Sequence, residues 1–274
     1  MSTILFLHGL NTYDDEMLRI GPLTYGSMHQ HLQAAFEQHQ IKFVAATDLG
    51  SGSPENQAHR ALPLLTNDPT MVECHKSQDD LHIIGHSVGG LVARVLAQTD
   101  PLKSRIKSII TVGTPHAGTN AAYLGIEFAK KHPWMAKLMR ASGYNIQAKG
   151  ENFKYYTPEA MANFNERYPS NPLIREISCV CEVAANKSPW PFKVLQHYLH
   201  LSDCNDGLVT CDSQRRGVTY GPFELDHLAQ TGFFFQQKSS EKEHAKCEFF
   251  RMIETIVTLV SKNTTAKSAD QSGN

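Results

Sequence analysis

Leu81-His82-Ile83-Ile84-Gly85-His86-Ser87-Val88-Gly89-Gly90-Leu91-Val92 decides the fold. Its first four residues are an apolar run of strand character. Leu91, Val92, Val95 and Leu96 then recur at helical spacing. Between the two stands Gly-x-Ser-x-Gly. A strand, a sharp turn carrying a serine, and a helix together make a nucleophile elbow. The turn holds the Ser87 hydroxyl clear of the backbone. The flanking glycines are needed because a Cβ there would collide with the neighbouring strand or helix. Gly90 adds room for the helix to approach the sheet.

Working outward, strand-like and helix-like segments alternate, which predicts an α/β class with a mostly parallel central sheet flanked by helices. Strands are predicted at Thr3–Leu7, Lys42–Thr47, Leu81–Gly85, Ser104–Val112, Ile177–Ala184, Tyr198–Leu201 and Val218–Phe223. Helices are predicted at Tyr25–Gln38, with Met28, Leu32 and Phe36 on one face, at Glu55–Leu65 and at Glu241–Val260. The alternation breaks over residues 117–172, which read as an inserted helical lid. Residues 1–262 read as one domain around that insertion. Residues 263–274 hold almost no large apolar side chains and read as a disordered tail.

Composition narrows the class. Hydrophobic residues make up 41% of the 274, enough for a packed core. A formal net charge of -1 gives no reason to expect nucleic acid. No apolar run reaches membrane-span length. Ile4–Leu7 runs directly into His8-Gly9 with no charged leader or cleavage site, which predicts a cytoplasmic protein. The six cysteines then read as free thiols; a disulfide involving Cys181, Cys204 or Cys211 is the alternative in an oxidising compartment. There is no P-loop, no dinucleotide fingerprint and no His-Glu-x-x-His, so neither a cofactor nor a metal is predicted.

A serine hydroxyl needs a base to take its proton, and the base needs a group to orient it. In a fold with this elbow the chain order is serine, acid, histidine. Asp206, in Asn205-Asp206-Gly207 after a predicted strand, is the chosen acid. Asp203 is its main competitor; Asp212 and Glu182 are weaker. Asn-Asp-Gly also favours a plain turn, so the acid rests on chain order as well as on local sequence. His227 is the chosen base, after the last predicted strand and before the last helix. The chain has 14 histidines, so position rather than residue type carries that choice. The oxyanion hole needs two backbone N–H donors. Val88 N–H supplies one, and Leu10 N–H, in the loop after the first strand, supplies the other. His116 lies near enough to serve as a supporting residue.

At this point the chain resembles bacterial triacylglycerol lipases of the α/β-hydrolase superfamily. The resemblance rests on Phe6-Leu7-His8-Gly9-Leu10, Ile84-Gly85-His86-Ser87-Val88-Gly89-Gly90, Val112-Gly113-Thr114-Pro115-His116-Ala117-Gly118, and Asn205–Val209 with Asp226-His227-Leu228. A softer similarity covers Thr157–Pro169. It implies an α/β-hydrolase fold, the triad Ser87, Asp206 and His227, and a mobile lid that touches a lipid interface transiently. The implied activity is hydrolysis of carboxylic esters of lipids or other small molecules. Many such lipases hold calcium through an aspartate two residues after the histidine; Ala229 stands there, which argues against that ion. The same triad serves thioesterases, acyltransferases and polyester depolymerases. A non-catalytic binding protein on this fold is a further alternative, and serine labelling by a fluorophosphonate separates it from an enzyme.

Overall fold

The structure is a computed structural model. It describes residues 2–9, 27–46, 49–50, 52–99, 104–123, 151–188, 196, 204–234, 236 and 238–271, with 151–152 and 262–271 as backbone only. In chain order the elements are β1 (Ser2–Leu7), α1 (Met28–Gln38), β2 (Lys42–Ala46), α2 (Pro54–Asn67), α3 (Pro69–Ser77), β3 (Asp80–His86), α4 (Val88–Leu96), β4 (Ile106–Val112), α5 (Pro158–Arg167), β5 (Arg175–Glu182), α6 (Cys211–Gln214), β6 (Val218–Glu224) and α7 (Ser239–Gln271). Short 3₁₀ turns lie at Glu151–Tyr156 and Ala229–Thr231.

The six strands form one parallel sheet in the order β2-β1-β3-β4-β5-β6. Parallel neighbours need crossover connections, so helices end on both faces and the strands are buried on both. Alternation along the strands divides the core in two. Leu5, Leu7, Leu81 and Ile83 pack with α2 and α4 residues such as Ala61, Val92 and Leu96. Ile4, Phe6, Ile84 and Ile110 face the other way, onto Met28, Leu32 and Phe36 of α1 and Phe249, Met252 and Ile256 of α7. The α1 stripe is the one its spacing predicts.

Helix starts follow from capping chemistry. Ser53 and Thr157 each accept a backbone N–H three residues on, and proline follows each at the first helical position. Asp68 ends α2 and caps α3, its Oδ1 accepting from Thr70 N at 2.8 Å and Met71 N at 3.1 Å. Helix α3 is absent from the sequence expectations, although Asp68-Pro69 carries its start signal.

Four expectations change or fall outside the described residues. Helix α7 continues to Gln271, past residue 262, where a disordered tail was expected. Helix propagation adds one backbone bond per residue and needs no apolar partner, so poor core-forming composition does not stop it. The strand expected at 198–201 and the central part of the expected lid, 124–150, lie outside the described residues. The free-thiol expectation is corrected for one pair. Cys204 and Cys211 form a disulfide; Cys74, Cys179, Cys181 and Cys247 are free. An isolated antiparallel bridge between Asn205 and Thr210 brings the two cysteines together, with Cys211 N donating to Cys204 O at 2.9 Å. That local pairing is not visible in cysteine counts.

Two stability outcomes follow. Phe36→Ala empties a fully buried aromatic site and should cost about 3–5 kcal/mol in urea unfolding. A loss below about 1 kcal/mol would place Phe36 outside the core. Reduction, or Cys204→Ser with Cys211→Ser, should cost about 2–3 kcal/mol through loop closure alone. A thermal midpoint indifferent to reductant would count against the bond.

Candidate active site

Ser87 is the hinge between β3 and α4. Its backbone sits at φ 54°, ψ −125°, a left-handed conformation that a non-glycine residue rarely adopts. Two hydrogen bonds hold it there. Ser87 N donates to Val112 O at 2.8 Å, and Thr114 Oγ1 donates to Ser87 O at 2.8 Å. The turn also demands close packing behind it. A Cβ on Gly89 would lie 2.2 Å from Leu7 O, so only glycine lets α4 come this near to β1.

Asp206 lies in the loop after β5. Val183 N donates to Asn205 O at 2.8 Å, continuing the strand direction into that loop. The Asp206 carboxylate is fully buried. Its Oδ1 accepts from Leu208 N at 3.0 Å and Val209 N at 2.8 Å. Its Oδ2 accepts from His227 Nδ1 at 2.8 Å and Gln230 Nε2 at 2.8 Å. His227 follows β6, and its backbone N donates to Asp206 O at 2.9 Å.

His227 Nε2 is 3.0 Å from Ser87 Oγ. An ionised carboxylate only accepts, so the imidazole proton sits on Nδ1. Nε2 then turns a lone pair toward the Ser87 hydroxyl. The structure therefore brings Ser87, His227 and Asp206 into one hydrogen-bonded line. Of the rival acids, Asp212 is exposed and pairs with Arg215 at 3.2 Å. Glu182 contacts Cys204. Asp203 lies outside the described residues.

Val88 N–H opens α4, where a helix leaves its first N–H groups without intrahelical acceptors. The loop after β1 reaches the same place: a Cβ on Gly9 would lie 3.0 Å from Ser87 Cβ. Leu10 itself lies outside the described residues. His116 joins a different group. Its Nε2 meets Thr111 Oγ1 at 3.1 Å and its Nδ1 meets Arg94 Nη1 at 3.5 Å. Arg94 Nη2 in turn donates to Tyr168 O at 2.6 Å, tying α4 to the end of α5.

Buried histidines crowd the serine. The His86 ring is 5.2 Å from that of His227 and 6.0 Å from that of His8. Burial, then the charge of His29, pushes His8 down to about 3. Burial, then His227 and His8, holds His86 well below the ordinary imidazole range. Both are neutral at physiological pH. Asp226 is pushed up to about 6 by burial, against the pull of the Leu228 and Ala229 N–H groups. Gln230 and His86 are site neighbours that chain order alone did not single out.

Among the described residues, Glu182, Cys204 and Cys211 are the one metal-type cluster, with ligand atoms within 4.8 Å of one another. The disulfide removes both thiolates from ligation, so the donor set does not suit a metal.

A family model described as palmitoyl protein thioesterase matches residues 3–165, more than half of the chain. Triacylglycerol lipase 2 of Saccharomyces cerevisiae is 29% identical over 187 residues, covering 65% of this chain and 54% of the relative. A triacylglycerol lipase of Pseudarthrobacter phenanthrenivorans is 24% identical over 189 residues, covering 64% and 56%. The chain thus spans about half the length of these relatives. The Staphylococcus hyicus lipase structure superposes with a TM-score of 0.70 at 16% identity, over 97% of both chains. A metagenomic carboxyl esterase superposes with a TM-score of 0.65 at 15% identity, over 93% and 75%. The expected fold and the expected lipase resemblance both stand: the chain belongs to the palmitoyl protein thioesterase family and is a lipase-like α/β-hydrolase.

Proposed function

We propose that the protein is a serine carboxylester hydrolase acting on acyl esters of lipids or similar small molecules. The observation that carries this reading is the line from Ser87 Oγ through His227 to Asp206, at 3.0 Å and 2.8 Å. Ser87 Oγ attacks the ester carbonyl carbon while its proton passes to His227 Nε2. The carbonyl oxygen becomes an oxyanion, and Val88 N–H and Leu10 N–H are the donors assigned to it. The imidazolium, oriented by Asp206, then protonates the leaving alcohol as the C–O bond breaks. The acyl group is left on Ser87. Water, losing its proton to His227, adds to that carbonyl and frees the acid.

Residues 117–172 are assigned as the cover of the acyl site. Their described ends pack onto the acid loop and the β4 end. Thr119 Oγ1 donates to Leu208 O, and Asn165 Nδ2 donates to His116 O at 2.9 Å. These bonds hold the described ends of the cover to the acid loop and to the end of β4. Transient contact with a lipid interface belongs to that cover. Among the described residues, no helix is long and apolar enough to cross a membrane.

The family match favours one second reading, cleavage of acyl thioesters by the same groups. Oxygen and thiol esters of one acyl chain, assayed side by side, separate the two through the ratio of kcat/KM.

p-Nitrophenyl esters from acetate to palmitate test the main reading. Ser87→Ala should lower kcat by on the order of 10⁴- to 10⁶-fold, and Asp206→Asn by roughly 10⁴-fold. Long-chain activity lost in Ser87→Ala supports a lipid ester substrate. Activity that survives Ser87→Ala rejects the serine mechanism. Activity confined to short chains rejects the lipid ester class and leaves a small-ester esterase.

A further inference from the structure

We propose that Gln230 is a positioning residue that completes the binding of the Asp206 carboxylate and ties it to His86, the residue before the nucleophile. This inference rests on the reading of Ser87, His227 and Asp206 as a catalytic line.

A carboxylate offers about four lone-pair sites. Asp206 fills them with Leu208 N and Val209 N on Oδ1, and with His227 Nδ1 and Gln230 Nε2 on Oδ2. Gln230 is therefore the fourth donor, and the only one of the four besides His227 that is a side chain. Its amide orientation is dictated. Asp206 cannot donate, so the NH₂ end must face it. The Oε1 end then faces His86 Nε2, 3.2 Å away. His86 must carry its proton on Nε2 to donate there. Its Nδ1 is buried without a hydrogen-bond partner, a lone pair being less costly to leave there than an N–H.

The resulting path closes on itself. It runs from Ser87 to His227, Asp206, Gln230 and His86, and returns to Ser87 through one peptide bond. The site for Gln230 is built by its neighbours. Gln230 is fully buried on the turn three residues after His227. Gly113, at φ +58°, lies against its carbonyl: a Cβ there would sit 2.1 Å from Gln230 Oε1 and 3.2 Å from Asp206 Oδ2. The end of β4 is thus shaped around this amide.

The arrangement matters when His227 becomes charged. Gln230 shares the negative charge of Oδ2 with His227, which limits how strongly Asp206 favours the imidazolium. It also accepts a hydrogen bond from His86 Nε2, which fixes the tautomer of the ring beside His227, while burial keeps that ring neutral. The other titratable groups facing this pair are His8 from β1, Cys181 from β5 and Asp226 beside His227. Burial keeps His8 uncharged and pushes the Cys181 thiol well up. Asp226 binds Leu228 N, Ala229 N and Gln236 Nε2, so a change at residue 230 leaves its partners intact.

The test is kcat, KM and the pH profile of kcat/KM on a p-nitrophenyl ester for Gln230→Leu, Gln230→Met and Gln230→Glu. Thermal midpoints and fluorophosphonate titration of Ser87 fix the folded, reactive fraction. In Gln230→Leu and Gln230→Met, kcat per reactive site should fall about 10- to 100-fold, the weight of a hydrogen bond to a charged group. KM should stay within about twofold. The acidic limb should move to higher pH, because Oδ2 is left with the imidazolium as its only side-chain donor. In Gln230→Glu a second carboxylate should move that limb further. A change in KM alone, an unmoved limb, or a loss that only tracks the folded fraction overturns the proposal. Met keeps the test alive where Leu does not fold. Ser87→Ala, assayed in parallel, separates the two failures: residual activity there rejects the catalytic line itself, whereas full dependence on Ser87 with a silent Gln230 rejects only this inference.

Discussion

Everything at the site depends on one close approach, that of helix α4 to strand β1 behind Ser87. The turn from β3 into α4 holds Ser87 at positive φ, and such a backbone persists only when its surroundings over-determine it. Gly89 against Leu7 O lets the helix come in. The bonds from Ser87 N to Val112 O and from Thr114 to Ser87 O lock the turn from the β4 side. With the Ser87 backbone fixed to three adjacent strands, the other groups are built to meet its hydroxyl, which lies 3.0 Å from His227 Nε2.

They are built on the far half of the sheet. Asp206 and His227 come from loops at the same edge as the ends of β5 and β6. They are fixed to each other twice, through backbone and through side chain. The cost of burying a carboxylate is met by filling its lone pairs with N–H groups. The Cys204–Cys211 bond closes the neck of the acid loop, so the loop enters the site as a short rigid hairpin. Burial does a second job nearby. It keeps His86, whose ring lies beside that of His227, and His8 neutral.

Side-chain bonds to backbone carbonyls anchor the described ends of the expected cover. Thr119 reaches the acid loop, Asn165 reaches His116, and Arg94 of the nucleophile helix reaches Tyr168. Arg94 is itself buried, and its guanidinium lies over the Phe164 ring at 4.8 Å. A buried cation is tolerated only with such partners. The described ends of that segment are thereby tied to helix α4 and to the loop that carries Asp206.

What the sequence by itself determined is what local physics encodes. Gly-x-Ser-x-Gly between an apolar run and a helical stripe specifies the elbow, because steric exclusion acts within a few residues. Short apolar runs and the 3.6-residue period located the described strands and most of the helices, because each residue's burial follows its position in a regular element. Chain order then narrowed the acid and base to loops. Helix α3 was missed although Asp68-Pro69 marks its start, since its short span offers few apolar positions. Only tertiary structure decided the rest. The pairing of His227 with Asp206 and not Asp212, the Cys204–Cys211 bond, and the place of Gln230 between Asp206 and His86 depend on residues 21 to 144 positions apart meeting at the sheet edge, or on a bridge across a hairpin. Hydrogen-bond partners of buried polar groups are set by where distant elements end. No residue type or spacing carries that information until the sheet brings those ends together.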